Sequence, residues 1–385
     1  MPPLPDRERI LLGPGPSPVS PRVMRALAAP PLSHLDPDMM ALLDDLRERL
    51  ARIFRAPDGA FTFAVSGTGS SGLEAAVANT VREGTPVLAV VTGYFGDRLA
   101  SVCARYGAQV HRVEVPWGRA VDPDALRRAL ATTRAEVVAV VHVETSTGVC
   151  NPVADLCAVA RERGCLTIVD AVTSLGGHPV DMAAWGADVV YSCSQKCLGA
   201  PSGLAPIAFS ARALERASCR SFYLDVQLLR DYWIGRRYHH TISAPLVYAL
   251  REAAIDVEEE TLDARWARHR HHHRVLTSGL GAMGLELLPP GPERSWTLNA
   301  VCVPDGVNEA AVRRRLLLEA NLEVGAGLGP LAGRVWRVGL MGAGSTSDHI
   351  LTLLSALERA LRAEGVAVAP GAGAAAARDA LATVR

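Results

Sequence analysis

The 40 basic residues of this 385-residue chain comprise 39 arginines and a single lysine, Lys196. Abundant Ala, Gly and Pro accompany that bias, as in a GC-rich genome that replaces lysine wherever arginine serves equally well. A lysine retained under such pressure points to a task arginine fails at. Arginine stays protonated, whereas a desolvated lysine amine can form a Schiff base with a carbonyl. Lys196 ends the segment Ser192-Cys193-Ser194-Gln195-Lys196, just past an apolar run and ahead of a Gly- and Pro-rich loop. A solvated surface charge is the plain alternative, and position and uniqueness both weigh against it.

Two further groups could act with this amine. Ser66-Gly67-Thr68-Gly69-Ser70-Ser71-Gly72 follows an apolar run and opens a helical stretch. Glycines there permit a tight turn, and free N–H groups at a helix start attract phosphate. The same letters spell the GxGxxG of dinucleotide binding, which expects an acid about 20 positions on, after the next strand. That strand, 87–91, ends in Thr92-Gly93, so a phosphate cup is favoured over a dinucleotide fingerprint. Asp170 follows the apolar run 166–169. A carboxylate at such a strand end faces the ligand crevice of an α/β sheet, although a cap or structural ion pair is its ordinary role. A phosphate cup, an amine for an aldehyde and an acid for a pyridine nitrogen together meet the needs of pyridoxal 5'-phosphate. A nicotinamide enzyme needs neither the lysine nor this aspartate.

Seven motifs extend the pattern. They are Leu11-Leu12-Gly13-Pro14-Gly15-Pro16-Ser17, the cup from Ser66 to Ser70, Glu144-Thr145-Ser146-Thr147-Gly148-Val149, Val169-Asp170, Ser194-Gln195-Lys196, Tyr238-His239-His240-Thr241 and Arg334-Val335-Trp336-Arg337-Val338-Gly339. On these the chain resembles the class V aminotransferases, in the alanine–glyoxylate (serine–pyruvate) branch, over residues 10–362. The resemblance implies a fold-type-I enzyme in which Lys196 takes the cofactor aldehyde and Asp170 pairs with the pyridine nitrogen. Thr68, Gly69, Ser70 and Gln195 would hold the phosphate, Thr145 would contact the ring hydroxyl, and Phe95 would stack on the ring. It further implies a homodimer whose Tyr238 and Thr241 reach the neighbouring subunit's phosphate, with Arg337 gripping a substrate carboxylate bidentately. Phe95, Ser70 and Thr145 stand where relatives carry tryptophan, histidine and serine, which bears on substrate preference more than on the cofactor. Alanine or serine is the expected donor, with glyoxylate or pyruvate as acceptor. The alternatives are transfer from ureidoglycine or pyridoxamine, a biosynthetic lyase on the same scaffold, and a dinucleotide-dependent oxidoreductase.

The frame for these groups follows from periodicity. Apolar runs at 61–65, 87–91, 110–115, 137–143, 166–169, 189–192 and 204–209 alternate with helical stretches. They predict an α/β fold with a mainly parallel seven-stranded sheet flanked by helices. An irregular Pro-rich arm over 1–35, suited to lying on a neighbouring subunit, is expected to precede a large domain, 36–260. A smaller α/β domain, 261–364, and a loosely ordered Ala/Gly-rich tail, 365–385, complete the expected organisation. One long helix is expected over 244–280, with His269-Arg270-His271-His272-His273-Arg274 as a solvated face rather than a metal site. Cys193 and Cys197 read as packing residues rather than a redox pair.

Composition narrows the classes. Hydrophobic residues make up 49% and charged ones 21%, enough for a large core in a soluble globular protein. Charges balance at 40 against 40, so no basic field attracts nucleic acid or anionic lipid. No apolar run approaches the ~18–20 residues of a membrane span. The first residues lack the apolar core of a signal peptide, and the last three do not spell a peroxisomal address. Eight cysteines without a CxxC pair suit a reducing compartment, so a cytoplasmic location is expected. Borohydride reduction in the presence of pyridoxal phosphate, followed by peptide mapping, is expected to place the pyridoxyl group on Lys196. An unlabelled Lys196 in active protein would overturn that assignment.

Overall fold

Val-rich runs without a polar face are satisfied only as strands covered on both sides. In the computed structural model, which describes residues 8–383, such runs form β1 (Phe61–Ser66), β2 (Pro86–Val91), β4 (Val137–Val141), β5 (Leu166–Asp170), β6 (Val189–Tyr191) and β7 (Leu204–Phe209), while the more polar β3 (Gln109–Glu114) is a mostly exposed edge strand. The sheet runs β1-β7-β6-β5-β4-β2-β3. Every neighbouring pair is parallel except those of β7, which runs antiparallel to both β1 and β6. That reversal matters for the site. An antiparallel partner can be reached by a short loop, whereas a parallel one needs a crossover. The loop from β6 to β7 therefore stays at the carboxyl end of the sheet and carries Lys196, while Asp170 ends β5 beside Tyr191 of β6.

Among the helices that cover the sheet, α1 (Pro37–Phe54) starts at Asp36, whose side chain accepts from Asp38 N, and buries Leu43, Leu46, Leu50 and Ile53. Two more, α2 (Gly69–Thr80) and α3 (Tyr94–Arg105), leave β1 and β2 through glycine turns. Later come α4 (Ala244–Glu260) and α5 (Leu262–Ala282). A second, antiparallel sheet has the order β8 (Leu298–Cys302), β10 (Val335–Gly339), β9 (Gly325–Ala326). It packs with α5, α6 (Glu309–Ala320) and α7 (Ser347–Ala363). Buried apolar side chains gather in two main clusters, one from Val23 to Val257 around the large sheet, the other joining Leu12 to residues Val275 through Ala377.

Four expectations change. The long helix over 244–280 is two helices, broken at Thr261 with φ 67°. Val247, Leu250 and Val257 belong to the first cluster, Val275, Leu276 and Leu280 to the second, and one straight helix does not serve both. The arm is not irregular throughout. Ile10–Leu11 pairs in parallel with Leu322–Glu323, and Pro21–Leu27 is a helix capped by Ser20. Proline at a helix's first turn removes no hydrogen bond, so Pro21 assists what its neighbours break. The arm's first seven residues lie outside the described ones. In the tail, Ala372–Ala382 is a helix, α8, packed on α5. Alanine favours helix, and Gly279 meets Gly373 where an added Cβ would lie 2.8 Å from the Gly373 carbonyl oxygen.

The histidine run is the fourth. His269, His272 and His273 are buried on one face of α5, as spacings of three and four dictate. Their Nδ1 atoms meet Arg265 O (2.7 Å), Ser345 Oγ (3.0 Å) and Asn299 Oδ1 (2.7 Å). Among the described residues, no group of three His, Cys, Asp or Glu is placed to hold a metal ion. Burial pushes His142, His272 and His273 down from 6.5 to about 4. Their neutral forms stabilise the fold fully above 6.5, and that contribution is lost as pH falls towards 4. Urea midpoints should therefore drop across this window, and His273→Gln should reduce the drop. An acid loss of the same size in His273→Gln would contradict the assignment.

Candidate active site

At the carboxyl end of the large sheet lies a cavity of about 280 Å³. Nine of the eleven site residues expected from the sequence line it: Thr68, Gly69, Ser70, Phe95, Thr145, Asp170, Gln195, Lys196 and Arg337. Tyr238 and Thr241 do not. Both are exposed, Tyr238 with 62% of its surface accessible and its ring 5.0 Å from that of His34.

The Lys196 amine donates to Thr173 Oγ1 at 2.9 Å and Thr145 Oγ1 at 3.1 Å. Burial lowers its pKa, against the opposing pull of Cys193 and Asp170. The backbone around it is held by three hydrogen bonds from two residues. Ser17 N donates to Gln195 O (2.8 Å), Ser17 Oγ to Lys196 O (2.7 Å), and Arg265 Nη2 to Cys197 O (2.8 Å). Gly15, at φ 106°, passes so close that a Cβ there would sit 3.1 Å from Lys196 Cγ.

Asp170 accepts from Tyr191 Oη at 2.7 Å and from Val172 N at 2.8 Å. Burial pushes its carboxyl up to about 6, while those two hydrogen bonds and the Lys196 charge work the other way. A carboxylate so desolvated is primed to face a cation.

The cup forms at the start of α2. Thr68 O accepts from Ser71 N (2.8 Å) and Gly72 N (3.3 Å), while the Gly69 and Ser70 N–H groups meet no acceptor among the described residues. Gly69 is required by crowding, since a Cβ would meet Val172 Cγ2 at 3.0 Å and Cys193 Cβ at 3.3 Å. Gln195 Oε1 is buried without a partner.

Phe95 opens α3 on another wall. The buried Glu144 carboxylate accepts from the N–H groups of Phe95 (3.2 Å) and Gly96 (3.0 Å), where the helix dipole favours negative charge. Arg337, on the central strand β10, points away from the core that holds Trp336 and Val338. Its Nε donates to Ala326 O at 2.6 Å and its Nη1 to Thr145 O at 3.4 Å. Burial lowers its pKa to about 10, with Glu144 opposing. No carboxylate among the described residues lies within ion-pair distance of Arg337.

Several contributors, Ser17 and Arg265 among them, had no assigned role from sequence. Gly15 and Glu144 lay inside quoted motifs, so spacing could have flagged them. Tyr191 and Thr173 carried no such signal, being an apolar strand residue and one of many threonines.

A family model described as aminotransferase class-V matches residues 20–331. The chain belongs to this family. A (S)-ureidoglycine–glyoxylate transaminase of Bacillus subtilis is 34% identical, over 96% of this chain and 95% of its own. An alanine–glyoxylate aminotransferase of Drosophila melanogaster is 37% identical over 94% of each. Among solved structures, an alanine–glyoxylate aminotransferase from Nostoc sp. aligns with TM-score 0.91 and 46% identity, covering 94% of this chain and 97% of that one. The Bacillus subtilis ureidoglycine–glyoxylate aminotransferase aligns with TM-score 0.96 and 34% identity, covering 99% and 100%. This class-V aminotransferase is thus a transaminase of fold type I, and the dinucleotide oxidoreductase alternative falls. Tyr191→Phe removes one donor from the Asp170 carboxylate and should move its titration, followed by carbon NMR of labelled aspartate, above about 6. An unmoved titration would show that Tyr191 does not act on this carboxyl.

Proposed function

We propose that this aminotransferase binds pyridoxal 5'-phosphate and moves an amino group from alanine or serine to glyoxylate or pyruvate. One observation carries the reading. The chain's single lysine amine, a fully buried carboxylate and a buried guanidinium converge on one small cavity. The residues present fit the cofactor. Lys196 would take its aldehyde, Asp170 its pyridine nitrogen, and Thr145 its ring hydroxyl, with Phe95 against the ring. The unpaired N–H groups of Gly69 and Ser70, with Thr68 and Gln195, would hold its phosphate. When bound, the cofactor supplies an electron-withdrawing ring and a carbonyl that carries the amino group.

The protein's own groups do the rest. Burial favours the neutral Lys196 amine, which has the lone pair a general base needs at the substrate α-carbon. Arg337 offers its planar fork to a carboxylate and so orients the Cα–H bond. The apolar side chains of Val172 and Leu328 restrict the remaining space, which favours small substrates. The relatives named for alanine and glyoxylate support that pair, while the Bacillus subtilis relative keeps (S)-ureidoglycine as the second donor to test.

We further propose a homodimer with shared sites, for which the exposure of Tyr238, Thr241 and Phe222 offers support. No helix among the described residues is long and apolar enough to cross a membrane, and a cytoplasmic location is part of the same proposal.

Donor panels against glyoxylate and pyruvate test the substrates. Arg337→Lys keeps the charge but loses the fork, so amino-acid turnover should fall roughly ten- to hundredfold, matching about 1.5–3 kcal/mol, with cofactor absorbance retained. Wild-type transamination of alanine by Arg337→Ala would place the carboxylate elsewhere.

A further inference from the structure

We propose that Thr173 is a positioning residue for the reaction, whose hydroxyl holds the Lys196 amine with its lone pair turned into the cavity. The proposal rests on the aminotransferase reading above. A neutral amine has a pair of N–H bonds and a single lone pair. Lys196 Nζ directs N–H bonds to Thr173 Oγ1 at 2.9 Å and to Thr145 Oγ1 at 3.1 Å, and the two hydroxyls also touch each other. With both N–H bonds engaged, the lone pair is the one position left for an incoming proton. Remove one acceptor and the end of the flexible lysine stem is free to rotate.

Thr173 is built for this duty. It is buried to 1% exposure and β-branched, so its hydroxyl has few alternative directions. Its carbonyl accepts from Thr297 Oγ1 at 2.9 Å, just ahead of β8, and from Cys197 Sγ at 3.4 Å, next to the lysine. The position of Thr173 is therefore set both by the second sheet and by the turn that carries Lys196. Thr145 is less free to serve the amine alone. Its carbonyl meets Arg337, and its hydroxyl would also contact the ring of the bound cofactor. Proton balance is simple: the amine lone pair takes the α-proton to give an ammonium, which would then pass that proton to the carbon of the cofactor's aldehyde and regain its lone pair. The Thr173 oxygen accepts an N–H throughout and is unchanged at the end.

The single lysine makes the test direct. In the full-length protein without added cofactor, lysine labelled at the ε-carbon yields one side-chain NMR signal to titrate. Thr173→Val keeps the shape but removes an acceptor for the ammonium, so the midpoint should fall by roughly one pH unit. Thr173→Ser should restore it. In the loaded enzyme, Thr173→Val should lower kcat roughly tenfold with little change in KM for the amino donor, and Thr173→Ser should recover most of the loss. Thr173→Ala serves for both measurements if the Val variant does not fold. A folded variant lacking the hydroxyl, with an unmoved lysine titration and wild-type kcat, would overturn the proposal. So would an impaired Thr173→Ser with the same defect as Thr173→Val, since that would report packing. A wild-type protein that shows no visible absorbance with pyridoxal phosphate would instead defeat the aminotransferase reading, whichever way the lysine titration moves.

Discussion

A lysine side chain in water is an ammonium with no lone pair at neutral pH, and here burial is the main influence that favours the neutral amine. The architecture around Lys196 serves this one constraint. Its amine is buried at the end of a sheet and met by hydroxyls rather than by a carboxylate at contact distance. Burial alone would also let the turn relax into some other packing. Ser17, Arg265 and the close pass of Gly15 prevent it by engaging the backbone and the alkyl stem. The N-terminal segment, remote in sequence, is thus part of the lysine's local environment.

Asp170 presents the same physics with the opposite sign. Desolvation raises its carboxyl, yet Tyr191 and Val172 hold the ionised form by hydrogen bonds. In the linkage sense a raised acid stabilises the fold below its unfolded pKa, and that contribution is lost as pH rises through about 6. At neutral pH the cavity therefore carries a cost that a bound cation would offset. Arg337 is a third desolvated charge, held by carbonyl oxygens rather than by a carboxylate among the described residues. Three buried ionisable groups in one small cavity make a costly arrangement for folding alone, and it becomes intelligible as ligand recognition.

Residues of the two sheets meet at this place. β5 and β6 bring Asp170 and Tyr191, the β6–β7 loop brings Lys196, and β10 of the second sheet brings Arg337. Thr297 and the Thr173 carbonyl link the sheets directly beside the amine. The buried histidines of α5 belong to the same junction, with His273 bonded to Asn299 of β8 and His272 to Ser345. Their neutrality is structural, a consequence of packing between the sheets.

Much of this was legible in the chain itself. Val-rich runs and helical spacing established an α/β sheet of seven strands, because covered strands need no polar face. Lys196, Asp170 and the glycine cup stood out because few residue types can do their chemistry, and the motif order tied Arg337 to them. Other features were decided only by tertiary contacts. Whether α4 and α5 form one helix depends on which cluster each buries its face against, and local propensity carries no such information. The histidine run reads as solvated until a second sheet covers one side of it. Ala372–Ala382 reads as slack until Gly279 and Gly373 allow two backbones to touch. Thr173 is the sharpest case. Its role depends on a 2.9 Å approach to an amine 23 positions away, and distances of that kind are created only when separate strands are brought to one edge of a sheet.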